Sequence, residues 1–336
     1  MARALRAGLI GLGMMGRNHA RALRAVEGVD LVAVADPVGD AHGVAAALPL
    51  LASVEELVAT GIDLCVVAVP TAAHEEVGLA LASAGVHVLV EKPLAVDVRA
   101  AARLAGAFED AGLVGCVGHI ERYNPALRSM RERLAAGELG EVHQVATRRQ
   151  GPFPHRIADV GVVKDLATHD FDLTAWVTAS AYRTVAARTA HKSGRTHEDL
   201  VSVLGGLSDG TVASHLVNWL SPLKERVTLV TGERGTFVAD TITADLTHYA
   251  NGSVATTWET IAQFRGVSEG DVTRFAIPKR EPLMTELEAF RDAVLGTSDE
   301  VVSMREGAST VAVAEAVLRS AAGGGVVDVA DVLATA

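Results

Sequence analysis

Cysteine is scarce in this 336-residue sequence. The two present, Cys65 and Cys116, sit in apolar strand-like runs with neither metal-ligand spacing nor a disulfide framework, so buried reduced thiols are expected. Positive charge is also short: 30 Lys and Arg stand against 41 Asp and Glu, for a net charge of −11. Broad attraction to nucleic acid or to an anionic membrane is thereby excluded, while a local basic cluster for a phosphorylated metabolite is not. No apolar run is long enough to span a bilayer, and the stretch from Met1 to Ala7 leads into a strand rather than a signal-peptide core. The expected setting is the cytoplasm, without a membrane or nucleic-acid partner. Fixed-period repeats, low-complexity linkers, HExxH and clustered His/Cys ligands are all missing, and no metal site is expected.

What is present is ample apolar material, 49% hydrophobic against 21% charged residues. That composition supports packed cores, and the length favours two domains with a ligand site between them. From Leu5 to Gly118, short Val/Leu/Ala runs alternate with helical patterns, the grammar of βαβ units around a parallel sheet. Strands are predicted at 5–10, 31–35, 64–69, 86–90 and 114–117, and Ser53-Val54-Glu55-Glu56 reads as a capping box. Beyond Gly140, alternating strands at 142–148, 185–189, 201–204, 212–219 and 227–231 are separated by turn signals, with helical patterns at 165–177, 285–295 and 308–322. The fold class is therefore α/β: a Rossmann dinucleotide-binding domain over 1–120, then an α+β domain over 121–336 with a mostly antiparallel open sheet.

Gly11-Leu12-Gly13-Met14-Met15-Gly16 follows the first strand and opens a helix. In that context the glycines allow a tight turn, close approach to a pyrophosphate and tight helix packing, with free amides at the helix start. Asp36, about twenty residues past the last glycine, ends the second strand where a carboxylate can accept the ribose hydroxyls of NAD. No Lys or Arg lies between Pro37 and Gly43 to receive a 2′-phosphate, which favours NAD over NADP. After the third strand, Pro70 and Thr71 are candidates to line the nicotinamide half. His74 either joins them or sits at an exposed helix start.

Lys92 ends the apolar run Val86-His87-Val88-Leu89-Val90-Glu91 at the sheet edge where ligands collect in open α/β folds, and it is one of only five lysines. A lysine there can hydrogen-bond a substrate hydroxyl and ease its deprotonation, or can simply snorkel. Asp165 and His169, four apart at a helix start, share a face as an imidazole and an orienting carboxylate would. Such a pair makes a general base, although a capping aspartate and a core histidine have the same spacing.

These residues together resemble the glucose-fructose oxidoreductase, inositol dehydrogenase and rhizopine-catabolism (Gfo/Idh/MocA) family. The likeness runs through the glycine loop, Glu91-Lys92-Pro93, the Asp165/His169 pair, the later sheet, and Glu281-Pro282-Leu283 with Glu286 and Phe290. It implies a catalytic trio of Lys92, Asp165 and His169, with His169 the proton acceptor, Glu91 and Lys92 beside the cofactor, and homodimers or homotetramers built through the C-terminal sheet. A narrower likeness, in Gly118 to Ala126 and in Arg148 to Val163, is to the UDP-N-acetylglucosamine 3-dehydrogenase branch. It makes Tyr123, Asn124, Arg148, Arg156 and Lys164 candidates for substrate contact, the two arginines suiting a diphosphate. Lys164 departs from the branch pattern, where an apolar residue precedes the catalytic aspartate. Inositol or aminocyclitol oxidation, 3-ketosugar reduction and a non-catalytic NAD sensor are the alternatives.

Overall fold

Short apolar strands covered on both faces build the first sheet. They are β1 (Leu5–Ile10), β2 (Val29–Ala35), β3 (Leu50–Leu51), β4 (Leu64–Val67), β5 (His87–Glu91) and β6 (Gly115–Gly118). All pair in parallel in the order β3-β2-β1-β4-β5-β6, so the order reverses between β1 and β4. The structure, a computed structural model, describes residues 3–154, 160–252 and 269–335. Helices α1 (Met14–Leu23), α2 (Val54–Ala59), α3 (His74–Ser83) and α4 (Val98–Asp110) belong to this sheet. Ser53 caps α2 by accepting from the Glu56 amide, and Glu56 returns the bond to the Ala52 amide, one residue earlier than the usual box. Both cysteines are free and buried, and burial pushes both thiols up.

The chain folds into two units, and the division differs from a single cut at residue 120. The first comprises Met1–Ile120, Glu281–Glu315 and Asp331–Ala336; the second comprises Glu121–Arg280 and Ala316–Ala330. The expected continuous domain over 121–336 is thus interrupted. Helix α7 (Pro282–Val294) places Leu283, Leu287 and Phe290 in the core of the first unit with Leu9, Leu23 and Val34. The pattern in the sequence marks α7 as one-sided but does not say whose core that side fills.

The second unit holds α5 (Pro125–Ala135), a π-helical turn over Val163–Ala167, α6 (Thr168–Thr178) and strands β7 (Val142–Pro152), β8 (Tyr182–Ala190), β9 (Leu200–Leu207), β10 (Val212–Asn218), β11 (Leu220–Gly232), β12 (Gly235–Asp240), β13 (Asp245–Asn251), β14 (Glu269–Arg274) and β15 (Val327–Asp328). The sheet order is β14-β13-β12-β11-β7-β10-β9-β8-β15, and only β7 and β10 pair in parallel. Along β7 the side chains alternate strictly: Val145, Thr147 and Arg149 are buried on the face that α6 covers, while Gln144, Ala146, Arg148 and Gln150 are on the other. No helix among the described residues is long and apolar enough to cross a membrane.

His215 on β10 is buried on the α6 face, 2.7 Å from both Thr147 Oγ1 and Tyr182 Oη. Burial pushes its imidazole down to about 3 from an ordinary 6.5, so the unfolded chain binds the additional proton between those values. Stability is full above the unfolded value and is lost as pH falls toward 3. Moving from pH 7 to pH 5 should therefore remove about 2 kcal/mol through this residue alone. Urea midpoints at the two pH values measure the loss, and His215→Gln should reduce their difference by that amount. A difference unchanged in the variant would assign the acid sensitivity elsewhere.

Candidate active site

In the first unit the glycine loop leaves β1 at the point of strand reversal. Gly11 has φ +91°, and a Cβ there would lie 2.5 Å from the Ala68 backbone; at Gly16 it would lie 1.9 Å from the Gly11 carbonyl oxygen. A Cβ at Gly13 would meet nothing within 4 Å. Two glycines thus close the turn against protein, and the third leaves open space where a ligand backbone can approach. Gly13 is also the N-cap of α1 and supplies no side-chain cap, so first-turn amides remain available to an anion. Met14 is exposed and Met15 half-buried at the same turn.

Asp36 follows β2 and fastens this loop. Its Oδ2 accepts from the Leu12 amide at 2.8 Å and its Oδ1 from the Val38 amide at 2.9 Å. Each oxygen keeps a lone pair for a ribose hydroxyl. Asp40 is used differently: the amides of Ala45 and Val44 lower its pKa and make it a turn anchor. The residues present therefore fit a dinucleotide, with the pyrophosphate at Gly11 to Gly16 and the ribose at Asp36. Exposed Pro70 and half-buried Thr71 follow β4, beside the loop because Ile10 pairs with Val67.

His74 is only 1% exposed, which corrects the exposed-helix-start alternative. Its Nδ1 lies 2.9 Å from the Pro93 carbonyl oxygen and its Nε2 3.0 Å from that of Val69. Burial lowers its pKa. His74 lies between the loop carrying Pro70 and Thr71 and the one carrying Lys92, and its single ring N–H donates to one of the two carbonyls. Lys92, half-buried, follows β5 at the same sheet edge. Glu91, expected beside the cofactor, is instead buried, with Oε1 2.7 Å from His19 Nε2 on α1 and Oε2 accepting from the Lys92 amide. Burial acts against its charge, but His19 and Lys92 outweigh that and the pKa is lowered. The pair ties the glycine-loop helix to the strand that presents Lys92.

In the second unit, Asp165 and His169 fall on either side of a helix irregularity. The sequence predicts one regular helix from 165, whereas the structure has the π turn over Val163–Ala167 followed by α6. Single π turns recur at functional sites because they redirect side chains at little cost in hydrogen bonding. The turn is anchored by Glu198, whose Oε1 accepts from the Val163 amide, and a Cβ at Gly161 would lie 2.0 Å from that carboxylate. Asp165 is 5% exposed, and Lys164 and His169 are half-buried.

What holds α6 in place is a set of ion pairs absent from the sequence reading. Arg149 donates from Nε to Asp170 at 3.1 Å and from Nη1 to Glu121 at 2.7 Å; Arg122 grips Asp172 with Nε at 2.8 Å and Nη2 at 2.6 Å. The two carboxylates hold Arg149 firmly charged, although burial acts against it. The available signal was two acids, Asp170 and Asp172, flanking Phe171 in a helix whose buried residues also include Leu173 and Val177. Asn124 is accounted for structurally: Oδ1 caps α5 at the Ala126 amide and Nδ2 donates to the Thr241 carbonyl oxygen. Tyr123 is buried. Arg148 departs from expectation, since the pleat turns it to the face opposite α6, where it pairs with Glu225 at 2.7 Å. Arg156 lies outside the described residues. Among the described residues no cluster of three metal-ligating side chains occurs.

Comparison with known proteins gives two family matches. The model for an oxidoreductase family with an NAD-binding Rossmann fold covers residues 5–119, and that for the GFO/IDH/MocA C-terminal domain covers 127–238. A UDP-N-acetylglucosamine 3-dehydrogenase of Acidithiobacillus ferrooxidans is 31% identical over 294 residues, 86% of this chain and 88% of the relative. A myo-inositol dehydrogenase of Streptomyces leeuwenhoekii is 34% identical over 240 residues, 68% of this chain and 74% of the relative. A solved structure of the Acidithiobacillus ferrooxidans enzyme superposes with a TM-score of 0.80 at 27% identity, covering 94% of this chain and 97% of that one.

The contrast between Gly13 and Gly16 is testable. Gly16→Ala forces a Cβ onto backbone and should cost about 1–3 kcal/mol of stability. Gly13→Ala should leave the unfolding temperature unchanged and weaken NAD about tenfold or more, because its methyl occupies only the ligand's space. Thermal unfolding and titration calorimetry separate the two effects. Equal NAD affinity in Gly13→Ala and wild type would place the pyrophosphate elsewhere.

Proposed function

Because the chain belongs to the Gfo/Idh/MocA oxidoreductase family, we propose that it uses NAD to oxidise a ring secondary alcohol of a sugar, at C3 of a nucleotide sugar such as UDP-N-acetylglucosamine. The observation that carries this reading is 31% identity to a UDP-N-acetylglucosamine 3-dehydrogenase across 86% of the chain. The inositol-dehydrogenase relative supports a second reading, oxidation of a free inositol or aminocyclitol. Reduction of a 3-ketosugar is the same chemistry run backwards.

His169 accepts the hydroxyl proton and Lys92 stabilises the alkoxide as it develops. Asp165 orients His169 and holds a neighbouring hydroxyl. NAD held at Gly11 to Gly16 and Asp36 would supply the hydride acceptor, so that the alcohol would give up one proton to His169 and one hydride to the cofactor. The π turn supports this assignment, since it sets Asp165 and His169 at the junction of two helical geometries. A non-catalytic sensor would need the glycine loop but neither Lys92 nor the Asp165/His169 pair.

The proposed protein is cytoplasmic and associates with copies of itself through the second sheet. Support comes from the face of that sheet opposite α6, which exposes Leu204, Val212 and Leu216. Sedimentation should give a dimer or tetramer, and Leu204→Glu combined with Leu216→Glu should give monomers. A monomeric wild type would refute that assembly.

A substrate screen with NAD and NADP, following reduced-nicotinamide absorbance, tests the activity across UDP-sugars, free sugars, inositols and aminocyclitols. His169→Ala and Lys92→Ala should each lower turnover about a hundredfold or more while leaving NAD affinity intact. Near-normal turnover of His169→Ala across pH would remove it as the base. Turnover of free inositols, with UDP-sugars neither reacting nor competing, would replace the nucleotide-sugar reading by the second one.

A further inference from the structure

Arg226 is a half-buried cation of the second unit with no part in the catalytic scheme. It lies on β11 directly opposite Arg149 of β7, and the neighbouring pairs Thr147–Thr228 and Val145–Val230 are buried on the α6 face. Arg226 therefore points to the side of the sheet where the π turn and α6 pack, the side Arg148 does not reach. Two like charges facing each other across adjacent strands are unfavourable unless something nearby requires both.

The two guanidinium groups are treated differently. Arg149 spends its donors on Glu121 and Asp170. Arg226 makes two bonds, both from Nη1, to the carbonyl oxygens of Gln150 at 2.7 Å and Glu225 at 2.8 Å. No carboxylate bonds it among the described residues, and Nε and Nη2 donate to nothing described. Its pKa is lowered by burial and by Arg149, against the fields of Asp170, Glu121 and Asp165. Glu121 and Asp170 together exceed the charge of Arg149 by one, so their field keeps Arg226 charged in a half-buried position without occupying its donors. Asp165, one of the candidate catalytic residues, is near enough to act on it electrostatically.

We infer that Arg226 is the substrate-anion receptor of the site, its Nε and Nη2 edge forming a paired bond to a phosphate or carboxylate carried by the sugar. A guanidinium fixed by two backbone carbonyls and presenting a free edge is pre-organised for such a fork. The inference deepens the nucleotide-sugar reading, on which it rests only for the identity of the anion. It moves the anion contact from Arg148, which the pleat turns away, to a residue on the same face as Asp165.

The test uses the full chain saturated with NAD, and titration calorimetry with UDP-N-acetylglucosamine, glucuronate and myo-inositol as probes. Arg226→Gln should weaken UDP-N-acetylglucosamine about ten- to hundredfold and flatten the salt dependence of its binding, with NAD affinity unchanged. Its unfolding temperature should hold or rise, since the variant removes a like-charge contact with Arg149. Arg226→Met, which keeps the packing of the stem, should behave alike. Wild type that binds glucuronate but no UDP-sugar, with the binding lost in Arg226→Gln, would end the nucleotide-sugar reading and sustain this inference. Three results would overturn it: anion affinity equal in variant and wild type, wild type that binds only myo-inositol, or failure of both variants to fold.

Discussion

Arg149, closed between Asp170 and Glu121 inside the second unit, is the constraint on which the candidate catalytic helix depends. A charge buried there is tolerable only when its partners are in place, and removing one partner of a buried pair typically costs about 3–5 kcal/mol. That cost fixes α6 to β7 in a way apolar packing cannot, because packing permits sliding and a bonded guanidinium does not. Arg122 does the same for Asp172, two residues further on. His169, immediately before Asp170, therefore has its backbone held by the residue next to it. The proposed role of His169 as proton acceptor demands placement within tenths of an ångström, which ion pairs of this kind can supply.

The first unit solves a similar problem with one pair. His19 and Glu91 meet at 2.7 Å and join α1 to the end of β5. The helix that begins at the glycine loop and the strand that ends at Lys92 are thus fastened to one another inside the core. His74 sits between the two loops with a backbone carbonyl of each within reach of its ring. Glycine loop and candidate catalytic lysine are thus positioned by buried side chains, His19, Glu91 and His74.

Much of this was legible in the sequence wherever the signal was local. The strand at 5–10 coincides with β1, and the glycine loop, Asp36 and Lys92 all fall at the sheet edge that their strand-end positions imply. Local signal fails where partners are distant. Nothing near residue 285 indicates that α7 fills the core of the first unit, and nothing near 149 indicates that its neighbour Arg148 faces away while Arg149 faces in. Adjacent residues on a strand take opposite faces, so an error of one position in register exchanges a ligand-facing arginine for a surface one. The strands β12, β13 and β14 escaped notice for a related reason, being rich in Thr, Asp and Gly and supported by sheet neighbours rather than by apolar runs of their own.

Buried charge in this protein is handled in three ways, and the comparison gives the electrostatics of the sheet edge their logic. Arg149, Arg122 and Glu91 are neutralised by partners in the same unit. Glu286 on α7, 1% exposed, is not: burial, and after it the charge of Glu91, push its pKa well up. Glu91, by contrast, is engaged by His19 and by the Lys92 amide. Arg226 is the third case, a half-buried cation beside Arg149 and its carboxylates whose Nε and Nη2 bond no described residue.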